Sequence, residues 1–242
     1  MSELLVVVAG IFIALQVDNW QTEQRNLVDE QNYILRLIDD MESDIDSIDR
    51  SIDLAQLRRE FADILLNVAN NSLDPSNRPL DFMVAVHQAA YTSTPTLRTD
   101  TFEELRSTGR IGLLRDNTLK SALFEYYRFD LTQRQYLPLQ LMTEFKHFEL
   151  SAGVLTNEQI VWLQDNVSIV WREKMATLDQ KAVDVSAVVE AASRLRANSA
   201  LVAWLTEARN MQNELSDTHT NRKTRAVALL GLLKTSSLEI AN

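Results

Sequence analysis

The sequence predicts an all-α protein: an N-terminal transmembrane helix continuous with a long coiled-coil-like stalk helix, packed with a long antiparallel C-terminal helix and a middle helical subdomain. Three observations predict it. Helix breakers are scarce, with 5 Gly and 4 Pro in 242 residues, against roughly 7% and 5% in average usage. An uncharged apolar run opens the chain. Behind it, apolar residues recur in alternating steps of three and four, the spacing of helices packed side by side. In linear order this gives an anchor over 1–20, a stalk helix over 21–72, a helical body over 73–195 and a returning helix over 196–242.

The run LLVVVAGIFIALQV, Leu4 to Val17, carries no charge and one polar side chain, Gln16. At about 1.5 Å per residue it covers roughly 21 Å, short of a hydrocarbon core of roughly 30 Å. Extension from Met1 to Trp20 supplies the missing length and puts the Trp20 indole at the interface, where indoles concentrate. The expected anchor residues are Leu4, Val7, Ile11, Phe12, Leu15 and Trp20. A cleaved signal peptide fits less well, because no Lys or Arg precedes the run and no A-x-A site follows it. A buried core helix fits less well too, because such a helix keeps a polar stripe. Residues 18–30 hold four acids against Arg25. Cytoplasmic flanks are rich in Lys and Arg, so the body is expected on the periplasmic side of a bacterial inner membrane. The absence of Cys fits that compartment.

The stalk seam reads Ile34, Ile38, Met41, Ile45, Ile48 and Ile52, then Leu54, Leu57, Phe61, Ile64 and Val68. The change between Ile52 and Leu54 predicts a shift of register there. The helix is expected to end near Asn70, before the loop NSLDPSNRP. Pro79 opens a short apolar helix. Asp100 with Glu103 predicts a capping box, and Gly109 a left-handed stop. Asp116 caps the next helix, which Pro138 interrupts. Thr156 with Gln159 predicts a second capping box. Residues 172–184 read as helical. The last helix follows Leu201, Leu205, Ala208, Met211, Leu215, Ala226, Leu229 and Leu233 from about Asn198 to Leu238, with His219 and Arg222 making its middle polar.

Composition excludes several chemistries. Without Cys there is no disulfide, thiolate metal site or cysteine nucleophile. A net charge of −10 argues against nucleic acid as a partner. The acidic run Asp39, Asp40, Glu42, Asp44, Asp46, Asp49 and Asp53 lacks the glycine turn of a calcium loop and holds helical phase, so it predicts a solvated or ion-paired face. Glu144 and His147 form one E-x-x-H, half of what a helical di-metal site needs. Phe124, Tyr126, Tyr127 and Phe129 read as core aromatics rather than a ligand box. No G-x-S-x-G elbow or Gly-rich phosphate loop occurs. No catalytic, cofactor-binding or metal residues and no cofactor are therefore expected. If the last helix returns so that Ile240 lies beside Trp20, Arg222, Lys223 and Arg225 fall opposite roughly residues 35–40. Asp39 and Asp40 then become their ion-pair partners and set the register.

The N-terminal stretch ending IFIALQVDNW, with Glu3 before it, and the stretch TFEELRSTGRIGLLRDNTL…LFEYY resemble an uncharacterised family of bacterial membrane proteins, a domain of unknown function with a single N-terminal transmembrane helix and a helical extramembrane body. The likeness covers the anchor and the middle of the chain, and the last helix loosely. The basic stretch common before the family's anchor is missing here. The resemblance implies the topology and no activity or site residues. The resulting expectation is a non-enzymatic, membrane-anchored scaffold or accessory subunit of an envelope complex. Its expected partners are the lipid bilayer, other membrane or envelope proteins and a second copy of the chain. The rival expectations are a periplasmic ligand-binding or sensory module with a pocket near Tyr126, Tyr127 and Trp162, and a metal-dependent enzyme using Glu144 and His147.

Overall fold

A computed structural model of the chain describes the backbone of residues 2–168 and 171–241, and the side chains of residues 7, 8, 10–168 and 171–240. It is all-helical, with no strand among the described residues. The helices are α1 (Ser2–Ala69), α2 (Pro79–Gln88), α3 (Asp100–Ser107), α4 (Asn117–Arg134), α5 (Leu137–Ser151), α6 (Asn157–Asn166), α7 (Arg172–Thr177), α8 (Val185–Ala197) and α9 (Ser199–Ala241), joined in places by 3-10 turns. The chain forms two compact units. One gathers residues 1–45, 97–128 and 224–242; the other gathers 46–96 and 129–223. The long N-terminal helix packs against the C-terminal helix.

In the first unit α1 and α9 run antiparallel: Gln31 Nε2 donates to Ser237 Oγ at 2.9 Å, and Lys234 pairs with Glu42 at 2.7 Å. Ile34, Leu37 and Met41 of α1 are buried, as are Leu229 and Leu233 of α9 and Phe102, Leu105, Leu119 and Leu123 between them in sequence. Phe102 stacks on Tyr127 with ring centroids 4.2 Å apart and meets Phe124 edge-on. Since Ser237 stands level with Gln31, the last residues of α9 reach only to about residue 27 of α1. Every described side chain from residue 7 to 26 is accordingly exposed.

In the second unit the same two helices are again antiparallel, with Lys223 on Asp49 at 2.7 Å and Arg209 on Asp63 at 3.5 Å. Its core takes Phe61 and Leu65 from α1, Phe82 and Met83 from α2, Leu163 from α6, Leu195 from α8 and Leu201 and Leu205 from α9. Helix α2 is buried at every position but His87, its polar Asp81 and Gln88 included. Its polar start is satisfied locally. Gln180 Oε1 accepts from the Leu80 N–H at 3.1 Å and Gln180 Nε2 donates to Asp81 at 2.7 Å.

Local signals place most boundaries. Gly109 follows α3 at φ +72°. Asp116 Oδ1 accepts from the Thr118 N–H at the start of α4. The chain leaves helical form between Arg134 and Leu137, just before Pro138. Both reciprocal bonds of the Thr156/Gln159 capping box are present. Three expectations are corrected. The cap of α3 is Thr99, without a side-chain bond, and Asp100 is its first residue, so no capping box forms there. Glu103 instead bonds Arg106 at 2.6 Å. Second, α1 keeps one register. The buried face runs Glu30, Ile34, Leu37, Met41, Asp44, Ile48, Ser51, Ala55, Arg58, Ala62, Leu65, an unbroken alternation of four and three. Ile38, Ile45 and Ile52 are only half-buried beside it. Following isoleucines alone misses the polar residues that occupy alternate seam positions, and so produces a false shift at Ile52. Third, Lys223 meets Asp49, not Asp39 or Asp40. The error comes from placing the end of α9 beside Trp20 when Ser237 stands beside Gln31.

Candidate functional site

Two features stand apart from ordinary helix packing. One is a buried polar network; the other is the exposed start of α1.

Buried polar contacts hold residues 89–96 in the second unit and, separately, 97–99 in the first, along a segment that follows α2 without regular structure. From Ser93 to Arg98 burial alternates residue by residue, the pattern of an extended chain. No neighbouring strand is there to take its backbone groups, and leaving them unpaired in a core costs about 1–3 kcal/mol each. Side chains take them instead. In the second unit Gln212 Nε2 donates to the Tyr91 carbonyl at 3.0 Å and the Ala89 carbonyl at 3.4 Å. Arg58 Nη1 donates to the Tyr91 carbonyl at 3.3 Å. Glu144 accepts from the Thr92 N–H at 2.8 Å and its hydroxyl at 2.7 Å. His219 Nε2 donates to the Ser93 carbonyl at 2.8 Å, and Ser47 Oγ accepts from the Thr96 N–H at 2.9 Å. In the first unit Asp44 Oδ1 accepts from the Arg98 N–H at 2.7 Å, Asp44 Oδ2 accepts from the Tyr126 hydroxyl at 2.8 Å, and the Tyr127 hydroxyl donates to the Arg98 carbonyl at 3.1 Å.

Charge states follow from these partners. A carbonyl only accepts and a guanidinium only donates. His219 therefore sits as the neutral Nε2–H tautomer, its Nδ1 taking a bond from Arg222 Nη1 at 3.1 Å. Burial above all, with the Arg222 charge added, pushes its pKa down to about 4, the Ser93 carbonyl pulling the other way. Arg222 also donates to Asp130 at 3.2 Å and lies over the Phe129 ring. Burial lowers Arg58 to about 10, opposed by Glu144 and Tyr91, so its guanidinium stays charged at neutral pH. Burial also lowers His147, whose Nε2 bonds the Val86 carbonyl at 3.0 Å.

The sequence candidates distribute as follows. Glu144 and His147 each hold a backbone group, and among the described residues no group of three or more His, Asp or Glu could hold a metal. The acidic run is not uniformly solvated. Asp44 is fully buried in the network and Asp40 is buried, whereas Asp39 is exposed. Glu42, Asp49 and Asp53 are ion-paired, the last with Arg172 at 2.8 Å. Arg222 is buried and Arg225 exposed. Tyr126 and Tyr127 are core side chains with tethered hydroxyls. Surface hollows of about 180 to 440 Å³ occur in the second unit, and none of these is lined by Tyr126, Tyr127 or Trp162. Sequence reasoning missed Glu30, Asp44, Arg58 and Gln212. The seven-residue spacing Glu30, Leu37, Asp44, Ser51, Arg58, Leu65 is the signal that marks the α1 members.

The second feature is the start of α1. Val7, Val8, Ile11, Phe12, Ile13, Leu15 and Trp20 are each 56–63% exposed, and Val17 is 48% exposed. They point to all sides of the helix. The Leu4 side chain lies outside the described residues. Where the exposed stretch meets the packed one, Glu30 accepts from the Arg115 N–H at 2.6 Å, and the Arg115 guanidinium lies 3.4 Å from Glu30 and 3.5 Å from Glu23. Among the described residues, no helix is long and apolar enough to cross a membrane.

Comparison with family models, curated proteins and solved structures finds no match to this chain. Its own geometry is what bears on function.

Proposed function

We propose that the chain is a membrane-anchored helical scaffold or accessory subunit of a bacterial inner-membrane or envelope complex, non-enzymatic, and acting through helix–helix contacts. The observation that carries this reading is the start of α1: a helix apolar on every side over residues 7–15 and exposed on to Trp20, with none of the described residues burying it. In water such a stretch is unfavourable. Moving its eight exposed apolar side chains into lipid gains on the order of 1 kcal/mol each. Its backbone is already hydrogen-bonded within the helix, so entry into lipid leaves no backbone group unpaired. The proposed span also uses residues 1–6 and Ala9, which lie outside the described side chains, and ends at the Trp20 interface. The polar stretch QTEQRN, residues 21–26, then separates bilayer from body, and the acidic flank over 18–30 favours a periplasmic body. The buried network supports contact rather than catalysis as the mode of action, because both His219 ring nitrogens and the Glu144 carboxylate are engaged by the chain itself.

Fractionation tests the reading. After expression in bacteria, the full chain is expected to stay with the membrane pellet through an alkaline carbonate wash, and a variant lacking residues 2–17 to move to the supernatant. Release of the intact full chain by the wash overturns the proposal.

A further inference from the structure

In the second unit a groove of about 320 Å³ lies between the α4–α5 junction and α9. Its apolar lining is the exposed Tyr136 and Leu139 on one side and, at its floor, Met211 and Leu215, which are buried and pack with Ala55. Tyr136 is 54% and Leu139 63% exposed, large values for side chains lining a concave surface. One turn beyond Leu139, Met142 is 66% exposed and continues the apolar strip along α5. Along α9 the groove extends from Glu207 to Thr218, roughly 16 Å or three helical turns. Glu207 and Glu214 stand on its α9 edge, seven residues apart and exposed. Neither takes part in an ion pair among the described residues, unlike Asp63 and Asp49, which meet Arg209 and Lys223 of the same helix.

We propose that this groove is a docking site for one helix of a partner protein, amphipathic and basic: an apolar face on the exposed Tyr136, Leu139 and Met142, over a floor of Met211 and Leu215, flanked by Lys or Arg that meet Glu207 and Glu214. The length matches the i, i+3, i+4, i+7 anchors by which a helix fills a groove. Methionine and leucine linings adapt to such anchors. Charge selects the occupant. Two unpaired carboxylates on the rim of a chain of net charge −10 repel a second acidic copy and attract a cationic face. The proposal names a partner chemistry for the contact-based role above. It involves no lipid, so it can fail while the anchor stands, and the reverse.

The test uses the purified full chain in detergent and fluorescent helical peptides about 14 residues long. One has a leucine face flanked by Lys, one the same face flanked by Glu, and one the same Lys content with the leucines scrambled off one face. The Lys-flanked peptide is expected to bind at least tenfold tighter than either of the others. Combining Glu207→Gln with Glu214→Gln is expected to cost about tenfold, the scale of two exposed ion pairs, and Leu139→Glu to abolish binding. Both variants alter exposed side chains, and unchanged circular dichroism verifies the fold. Equal binding of the ordered and scrambled Lys peptides shows attraction to net charge alone and overturns the proposal. So does failure of the Lys-flanked peptide to bind, or self-association of the chain that Leu139→Glu removes.

Discussion

Two stretches of α1 share one backbone and almost nothing else. Residues 7–15 are apolar on every side, and 7–20 are exposed wherever described; residues 30–65 carry acids, serines and an arginine on their buried face. Apolar character therefore does not decide what is buried within the chain. The partner does. The described part of α9 reaches to about residue 27 of α1, and among the described residues nothing buries the more hydrophobic stretch. The less hydrophobic stretch is covered, and its polar seam positions hold backbone groups: Asp44 the Arg98 N–H, Arg58 the Tyr91 carbonyl and Glu30 the Arg115 N–H.

The sharpest way to break this contrast is truncation at a matched apolar residue in each stretch. Leu37→Ala or Leu65→Ala removes a fully buried side chain and is expected to destabilise the fold by about 2–5 kcal/mol, read by denaturant unfolding. Phe12→Ala removes a larger side chain and is expected to change unfolding by less than about 0.5 kcal/mol. Equal losses would mean that the start of α1 packs within the chain.

The next largest effect concerns the polar seam. Asp44→Ala leaves the Arg98 N–H and the Tyr126 hydroxyl without their acceptor, an expected loss of about 2–4 kcal/mol by the same measurement. Asp46→Ala, on an exposed position two residues away, is expected to be near neutral. A neutral Asp44→Ala would show that residues 97–99 are not held by α1.

Acid sharpens the comparison inside the second unit. The folded pKa of His219 lies at about 4, below the ordinary value of about 6.5, so the unfolded chain binds a proton that the folded chain refuses. The stability this ring contributes is intact above about pH 6.5 and falls as pH drops towards 4, by up to about 3 kcal/mol. His219→Gln keeps a donor for Ser93 and an acceptor for Arg222 but does not titrate. Its unfolding free energy should decline less between pH 6.5 and 4, and parallel curves for the two proteins would refute the assignment. The smallest effect belongs to the exposed Lys234–Glu42 pair: Lys234→Ala is expected to cost no more than about 1 kcal/mol, and less in high salt.

Much of the fold was legible because it is written locally. The absence of Gly and Pro over residues 18–70, the Thr156/Gln159 box, the stop at Gly109 and the break before Pro138 all depend on residues within a turn or two. Register was not legible. It depends on where α9 ends against α1, and one wrong assumption about Trp20 moved Lys223 from Asp49 to Asp39 and Asp40. The polar network was hidden for the same reason. Asp44 sits in an acidic run that looks solvated, and only its heptad spacing from Leu37 and Ser51 betrays that it faces inward. Its partners lie 54 and 82 residues away in sequence. Asp100 failed as a cap because Thr99 took the position one residue earlier.

The central claim is that lipid is the solvent of residues 7–20. Because the chain has no cysteine, a single introduced thiol reports its own surroundings. Ile11→Cys and Gln24→Cys variants, in sealed membrane vesicles whose orientation exposes the body, are treated with a membrane-impermeant maleimide. The account predicts rapid labelling of Gln24→Cys, and labelling of Ile11→Cys only after detergent. Equal labelling of both in intact vesicles would contradict it.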